Sequence, residues 1–576
     1  MSSSSDDTIN LAYDGDAATV HPELSAHSRK MAQRVYQVAE RVYLAVGYGI
    51  ANCTMIEGDD GVVIVDVMES IAAGEAALAA LRRYCDKPIK AVILTHDHGD
   101  HIFGMHAFVS PEEVAAGQVE IYAHETLMDA VLGNVSVVRR AIADRVAYSV
   151  GRYLEKGPKG HVNAGIGPDF RWGPVSLIAP TTTFRDSLDI EVAGLRLHLV
   201  HAPSETDNEL VVWLPDLKVL QSAEVIQGEC FPNLHTIRGT PYRDPVNWYK
   251  SIDMMRGFGA EHLVPTHGRP VSGKAAVDEL LTAYRDAIQY THDQAVRYIN
   301  KGYTPDELAE RLPGLPAHLA GHPWLGEFYG TVKHSVRQIF GGYLGWFEGD
   351  PTFLDPLPRG EAARRQVAMM GGREAVLAAA REALAADDHQ WAAQLLTHLT
   401  RLDEDDMEAR QLKAGALRAL GYATRNINWR DWYLTSAMEL DDSLPEAARQ
   451  AGGFSPAVIA ALPTARIVET ASVRLRAEDC FDARYCLAIE VSDTYESMGL
   501  EVRRGVAQFH PRRPDRADGT LTGTKMTIMG LFAQMLSLEE ALDGGDASLL
   551  GEREELARFL GYFEPPMGAR MRLTLR

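Results

Sequence analysis

Short apolar runs rich in β-branched residues punctuate the first half of the chain, and several of them stop at an ionisable side chain. Two such segments lie within residues 41–67 around Glu57-Gly58-Asp59-Asp60-Gly61, a turn signal, so a hairpin is expected with Val62-Val63-Ile64-Val65 as its second strand. Helical spacing over 70–84 leads to a further buried strand at 90–94. Residues 111–160 read as mostly helical. Val175-Ser176-Leu177-Ile178, Leu195–Val200, Leu210–Leu214, Val219–Ala223 and Leu263-Val264 read as strands. Strand, helix, strand, with polar groups at strand ends, is the logic of an α/β site.

The texture changes after about residue 272. Residues 275–300 and 360–450 are rich in Ala, Leu, Arg and Glu at a 3.6-residue period, which predicts packed helices. Ala392–Leu396 and Ala409–Leu420 resemble a helical hairpin, with too few copies for a repeat array. Gly341-Gly342-Tyr343-Leu344-Gly345-Trp346-Phe347, between the two helical regions, fits an interface, a substrate-facing segment or plain core. Ala-Gly-Gly-Phe-Ser-Pro at 451–456 is a linker candidate. Beyond it Tyr485–Val491 and Leu500–Ala507 read as strands, Met526–Met535 as a helix and Met571–Leu575 as a last strand, making a small α+β module. Four segments are expected: a flexible lead-in over 1–30, an α/β domain over 31–272, a helical domain over 273–450 and the last module over 451–576.

A chain of 576 residues exceeds one ordinary core, in keeping with several domains. Its net charge of −22 argues against nucleic acid as a partner, because no basic surplus exists to displace counterions. The first residues lack a basic region and an apolar stretch, so no secretory signal is read. No run reaches the ~18 apolar residues of a membrane span. Five cysteines, scattered and without CxxC spacing, fit a reduced, cytoplasmic protein.

The chemistry concentrates in Thr95-His96-Asp97-His98-Gly99-Asp100-His101, directly after the strand at 90–94. Imidazoles and a carboxylate presented together at a strand end suit zinc. His96 and His98 can converge on one ion, Asp100 and His101 on a second. Glu205, Glu224 and His267 also follow short strands, within reach of the same edge. His124 and His201 compete for the same role and fit packing or support of the ligands better.

This loop resembles that of the metallo-β-lactamase fold. Further segments narrow the resemblance to the alkylsulfatases of that superfamily: Gly133-Asn134 with Arg139-Arg140-Ala141, Gly157-Pro158-Lys159-Gly160, Asn233–Gly239, Tyr290-Thr291-His292-Asp293-Gln294, Tyr343–Phe347 and Met369-Met370-Gly371-Gly372. The resemblance spans roughly residues 30–576. It implies an αββα sandwich, then an α-helical dimerisation domain and a small α+β domain similar to sterol-carrier proteins. It also implies a zinc-dependent hydrolase that cleaves sulfate esters of alkyl chains to alcohol and inorganic sulfate, through water activated by two metal ions. The implied ligands are His96, His98, Asp100, His101, Glu205 (in place of the lactamases' third histidine), Glu224 as the bridge, and His267. Arg238 and Arg285 match arginines of the family and suit a sulfate group, and Tyr329 can add a hydrogen bond. The implied partners are a small anionic ester with an apolar tail and a second copy of the chain, with no stable membrane association.

One departure stands out. Many alkylsulfatases read Leu-His-Asn-Leu-Tyr-Thr-Leu-Arg-Gly where this chain has Phe231-Pro232-Asn233-Leu234-His235-Thr236-Ile237-Arg238-Gly239. Pro232 replaces the histidine that serves as acid, and His235 stands in for the tyrosine. His235 is therefore the candidate general acid. A phenolic leaving group or C–O cleavage would need less proton assistance, which leaves S–O and C–O cleavage both open. Two other readings compete: a hydrolase of an aryl sulfate or phosphodiester, and a lipid-carrying protein with an inactive metal site.

Overall fold

In the computed structural model, which describes residues 13, 15–446, 456–566 and 571–575, two β-sheets face each other across an apolar layer. The first runs β1 (Arg34–Ala39), β2 (Val42–Val46), β3 (Cys53–Glu57), β4 (Val62–Val65), β5 (Ile89–Ile93), β6 (Glu120–His124), β7 (Thr182–Phe184) in sequence order. β1 to β4 are antiparallel, and β4 to β7 are parallel. The second contains β8 (Ser187–Val192), β9 (Leu195–His201), β10 (Leu210–Leu214), β11 (Val219–Gln221), β12 (His262–Val264) and β13 (Val271–Ser272), again in order.

Leu44, Ile56, Val63, Val65 and Ile93 of the first sheet pack on Leu197, Leu199, Leu210 and Val212 of the second. The strand alternation follows from this: each sheet has one face inward and one face under helices. Helix Ile71–Leu81 covers the first sheet with Ala73, Ala77 and Leu81. Helices Pro245–Arg256 and Lys274–Ile299 cover the second through Trp248, Ile252, Leu281 and Tyr284. The result is the αββα sandwich. The parallel pairs β4·β5 and β11·β12 bring several strand ends, with the loops that follow them, to one edge.

Helices Arg359–Met369, Arg373–Ala385, His389–Leu402, Met407–Ala423 and Ile427–Leu440 form the helical middle, where consecutive helices pack on each other. A third sheet follows, with β14 (Arg484–Val491), β15 (Ser497–Arg503), β16 (Val506–His510), β17 (Gly519–Gly523) and β18 (Ala547–Leu550) in the order β16-β15-β14-β17-β18. Helices Lys525–Phe532 and Arg553–Gly561 close its core through Ile528, Leu531 and Phe559.

Several expected elements differ. Part of the lead-in is a helix, Pro22–Ser28, because Val20 and Leu24 have an apolar wall of Ile50, Val162 and Phe328 to bury against. β6 lies inside the stretch read as helical, and Val175–Ile178 is no strand: only Ser176 makes a bridge, to Gly104. Leu500–Ala507 is a hairpin rather than one strand, since Arg504 and Gly505 take left-handed conformations (φ 50° and 82°). Met571–Leu575 pairs with no strand among the described residues. The amides of Leu573, Thr574 and Leu575 donate instead to the buried carboxylate of Glu439. Tyr343, Leu344 and Trp346 are exposed rather than core. The linker candidate at 451–455 lies outside the described residues. No helix among the described residues is long and apolar enough to cross a membrane.

Candidate metal centre

Seven side chains meet at the shared sheet edge. His96, His98, Glu205 and Glu224 form one group, and Asp100, His101, Glu224 and His267 a second; the ligand atoms within each group lie within 4.8 Å of one another. Glu224 belongs to both. Its Oε2 is 3.2 Å from His96 Nε2 and 3.2 Å from His101 Nε2, and its Oε1 is 3.5 Å from His267 Nε2. Glu205 Oε1 lies 3.7 Å from His98 Nδ1, and Asp100 Oδ2 lies 3.4 Å from His101 Nε2. His124 and His201 stack on each other, with ring centroids 4.3 Å apart, and belong to neither group.

The local backbone explains the convergence. β5 ends at Ile93, and the loop Leu94–His98 feeds directly into the one-turn helix Gly99–Ile102, which carries Asp100 and His101. Ala223, just before Glu224, takes a left-handed conformation (φ 48°), and Asp66 does so at the end of β4 (φ 60°). Non-glycine residues held there cost energy and cluster at functional sites. The amide of Asn52 donates to Pro265 O and Gly268 O and pins the turn that presents His267.

Hydrogen bonds behind the ligands fix which ring nitrogen faces the centre. A carbonyl only accepts, so His267 Nδ1 donates to Ile50 O (2.9 Å) and Nε2 is left with its lone pair forward. His101 Nδ1 donates to Asp66 Oδ2 at 2.8 Å. Asp66 Oδ2 also accepts from Thr95 Oγ1 at 2.9 Å, so the Thr95 oxygen accepts from His96 Nδ1 at 3.0 Å. Three imidazole lone pairs thus point at one carboxylate. Lone pair against carboxylate is repulsive, and none of these atoms has a hydrogen-bond partner: His96 Nε2, His101 Nε2, His267 Nε2, Glu205 Oε2 and Glu224 Oε2 are all buried and unsatisfied. Buried polar atoms are rarely left so, and cations between them resolve both the repulsion and the missing partners.

With the imidazoles neutral the centre needs cations; the other way to offset its carboxylates is to protonate those rings, and the electrostatics show that pull. Burial alone would push the Glu224 carboxyl up, yet His267 and its other partners hold it well below the usual carboxylate range. Burial would lower His101, but Asp100 and Asp66 outweigh it and raise it well above 6.5. Burial raises Glu209 well above the usual range, with Glu224 and Glu205 adding to the effect. The site is thus a buried acidic cluster that calls for positive charge.

A cavity of about 400 Å³ opens beside the ligands. Arg238 and Tyr329 line it, with His98, Asp100, Glu205 and Glu224 at one end and Phe103, Val131, Ile142, Val146, Phe170 and Trp172 along its wall. Arg238 Nη1 donates to the Tyr329 hydroxyl at 3.1 Å. Burial works against the Arg238 charge, but Tyr329 and Glu205 more than offset it. Burial pushes the Tyr329 hydroxyl up to about 12.

The other two expected residues sit elsewhere. Neither His235 nor Arg285 is among the residues lining this cavity. The ring of His235 packs edge-on to His334, at 6.0 Å between centroids, and burial with Arg243 nearby lowers its pKa to about 4. Arg285 lies on helix Lys274–Ile299, paired with Asp253 and Asp286. Its spacing from the motifs gave no information on direction, and a local carboxylate on each side claims its guanidinium.

Sequence reasoning missed the supporting residues. Arg243, buried to 3 % exposure, pairs with Glu205 and donates to Asn233 O. Glu209 accepts from the Glu224 amide and from Ser204 Oγ. Asp66 supports two histidines. For Asp66 and Glu209 the one visible signal is a charged residue directly bordering an apolar strand; Arg243, in the loop before helix Pro245–Arg256, carries none.

Comparison with known proteins gives the family. Residues 46–267 match the metallo-β-lactamase superfamily, residues 304–443 the alkyl sulfatase dimerisation domain and residues 453–569 the alkyl sulfatase C-terminal domain. A linear primary-alkylsulfatase of Pseudomonas sp. (strain ATCC 19151) is 48% identical over 88% of this chain and 98% of its own length. An alkyl/aryl-sulfatase of Saccharomyces cerevisiae (strain ATCC 204508 / S288c), BDS1, is 31% identical over 95% of this chain and 85% of its own. The solved structure of the stereoselective inverting sec-alkylsulfatase Pisa1 from Pseudomonas sp. superposes with a TM-score of 0.90 at 30% identity, covering 96% of this chain and 88% of that one. The chain belongs to the alkylsulfatases of the metallo-β-lactamase superfamily, and it is a sulfuric ester hydrolase.

Proposed function

We propose that this protein hydrolyses sulfate esters of alkyl chains to alcohol and inorganic sulfate with two zinc ions per chain. His96, His98 and Glu205 would hold one ion and Asp100, His101 and His267 the other, with Glu224 within reach of both groups. The observation that carries the reading is the set of buried, unpartnered ligand atoms converging on Glu224, with a half-buried arginine, Arg238, on the wall of the same cavity. The ligand types, nitrogen and carboxylate oxygen without sulfur, suit zinc. When bound, the ion pair supplies a water acidic enough to serve as nucleophile near neutral pH.

The chain's own residues do the rest. Arg238 receives the sulfate oxygens, because a guanidinium fork matches a pair of oxygens. Tyr329 accepts from Arg238 and fixes its direction. Arg243 pairs with the Glu205 oxygen that also faces His98 and so holds that carboxylate in place. The apolar wall of Phe103, Val131, Ile142 and Val146 excludes water and takes the start of the alkyl chain. His235 is not assigned the proton transfer to the leaving oxygen, since it lies outside the cavity wall.

The homodimer and the domain division at 31–272, 273–450 and 451–576 belong to the same reading. The middle domain exposes Tyr343, Leu344, Trp346 (72%), Phe353, Leu354 and Leu357 within one short stretch, an apolar load expected at a subunit interface. For the sterol-carrier-like module, a second cavity of about 1370 Å³ lies between it and Val137 and Val138, and the same two valines line the passage that reaches His98 and Glu205. A reducing, cytoplasmic setting fits five unpaired cysteines.

Sulfate release from dodecyl sulfate, nitrophenyl sulfate and a nitrophenyl phosphodiester tests the reading. Preference for dodecyl sulfate by at least about tenfold supports it; preference for the phosphodiester overturns it. Turnover in ¹⁸O-water decides the bond: label in sulfate means S–O cleavage, label in the alcohol means C–O cleavage.

A further inference from the structure

Arg238 is held at two ends, and only one of them faces the cavity. Its guanidinium meets the Tyr329 hydroxyl. Its main chain sits in a tight turn, where the Gly239 amide donates to Thr236 O at 3.0 Å and Gly239 takes a left-handed conformation (φ 95°). Behind that turn lies Arg145. Its Nε donates to Arg238 O at 2.8 Å, and its Nη2 donates to Ile237 O. One planar fork thus grips two successive carbonyls of the turn that carries Arg238.

Arg145 is itself fixed. Its guanidinium lies over the Trp432 ring, 5.5 Å from the centroid, and Trp432 Nε1 donates to Ser149 Oγ one turn further along the same helix. That helix, Arg139–Ser149, supplies Ile142, Val146 and Ser149 to the cavity wall. Its far end is tied by Tyr148, which donates to Glu439, the carboxylate that also gathers the amides of Leu573, Thr574 and Leu575. Burial disfavours the Arg145 charge, and the two carbonyls are what its fork receives in exchange.

We propose that Arg145 is a positioning residue for the sulfate group: it locks the Ile237–Arg238 backbone so that the Arg238 guanidinium stays on the substrate oxygens. The inference rests on Arg238 being the sulfate-binding arginine. A turn with free carbonyls would let the Arg238 side chain swing, and displacements near 1 Å at a binding group cost up to about a hundredfold.

The test is a double-mutant cycle on the full-length, metal-loaded enzyme, with Arg145→Met and Arg238→Met. Each variant is assayed for kcat, KM on dodecyl sulfate and inhibition by inorganic sulfate, with metal content and Tm recorded. Arg145→Met keeps the stem over Trp432 and removes the fork. It is expected to raise KM and the sulfate inhibition constant together by about tenfold with kcat changed less than about threefold, the mark of lost uniform binding. Arg145→Lys, which can reach one carbonyl, is expected to fall between. In the Arg238→Met background the Arg145 change is expected to have no further effect on either constant. Sulfate inhibition within twofold of wild type in Arg145→Met, or fully additive losses, would overturn the inference while leaving Arg238 in its role. Wild-type KM and sulfate inhibition in Arg238→Met would overturn that role and this inference with it.

Discussion

Replacing Asp66 with asparagine removes one charge and changes no ligand. Asp66 uses both oxygens: Oδ1 accepts from the Thr95 amide at 2.9 Å, and Oδ2 accepts from Thr95 Oγ1 at 2.9 Å and from His101 Nδ1 at 2.8 Å. An amide has one oxygen, so Asp66→Asn keeps either the Thr95 amide bond or the Oδ2 pair, and turns an NH₂ onto donors at the other. In the first orientation His101 loses the partner that holds its Nε2 lone pair forward, and through Thr95 the ring of His96 loses its anchor; in the second both keep only a neutral acceptor in place of a charged one. A hydrogen bond to a charged group is worth about 1.5–3 kcal/mol. Losing one such bond behind a ligand corresponds to roughly 10–100-fold in metal affinity, the range seen when residues behind metal ligands are removed. Zinc affinity by chelator competition, with metal content after dialysis, measures this directly. Asp66→Asn is expected to weaken binding by about that factor and to recover activity when zinc is raised in proportion. Affinity within twofold of wild type, in a folded variant, would refute the tautomer chain from Asp66 to His101 and His96.

Three further outcomes follow from other parts of the molecule. His161 lies between Asp431 (2.9 Å) and Asp169 (3.4 Å); burial alone would lower its pKa, but the two carboxylates outweigh it and raise it to about 10. A raised imidazole stabilises the fold fully below 6.5 and loses that contribution as pH climbs through about 10, so the gap in unfolding free energy between wild type and His161→Gln, measured by denaturant titration, should shrink from pH 6.5 to 10.5, from a starting value on the order of 5 kcal/mol; a constant gap would contradict the pairing. Met535, 66% exposed in the large C-terminal cavity, should when changed to Glu raise KM for dodecyl sulfate several-fold more than for hexyl sulfate, and an equal effect on both would count against tail binding there. Trp346→Glu should lower the mass measured by light scattering from two chains to one, whereas an unchanged mass would place the interface elsewhere.

Much of the site was legible because its residues are chemically unusual where they stand. Histidines and a carboxylate packed into Thr95–His101 after an apolar strand announce a metal loop, and the structure brings Glu205, Glu224 and His267 to the same place. The sandwich was legible in its apolar runs but not in its edges. Strands β1, β6 and β8 are half polar or short, and tertiary pairing rather than local pattern makes them strands. Arg285 shows the opposite failure: an arginine matched by motif alone carries no direction, and Asp253 with Asp286 claims it. Arg145, Arg243 and Asp66 could not be ranked from sequence, since what distinguishes them is a partner about 29 to 93 positions away in the chain.

Zinc content of the purified protein beside its Glu224→Gln variant tests the dinuclear centre most directly, because among the described residues Glu224 alone belongs to both ligand groups. Two zinc ions per wild-type chain are expected, with loss of at least one ion and of sulfate release from dodecyl sulfate in a variant that keeps its fold by circular dichroism. A Glu224→Gln protein with two tightly held ions and wild-type turnover would contradict it.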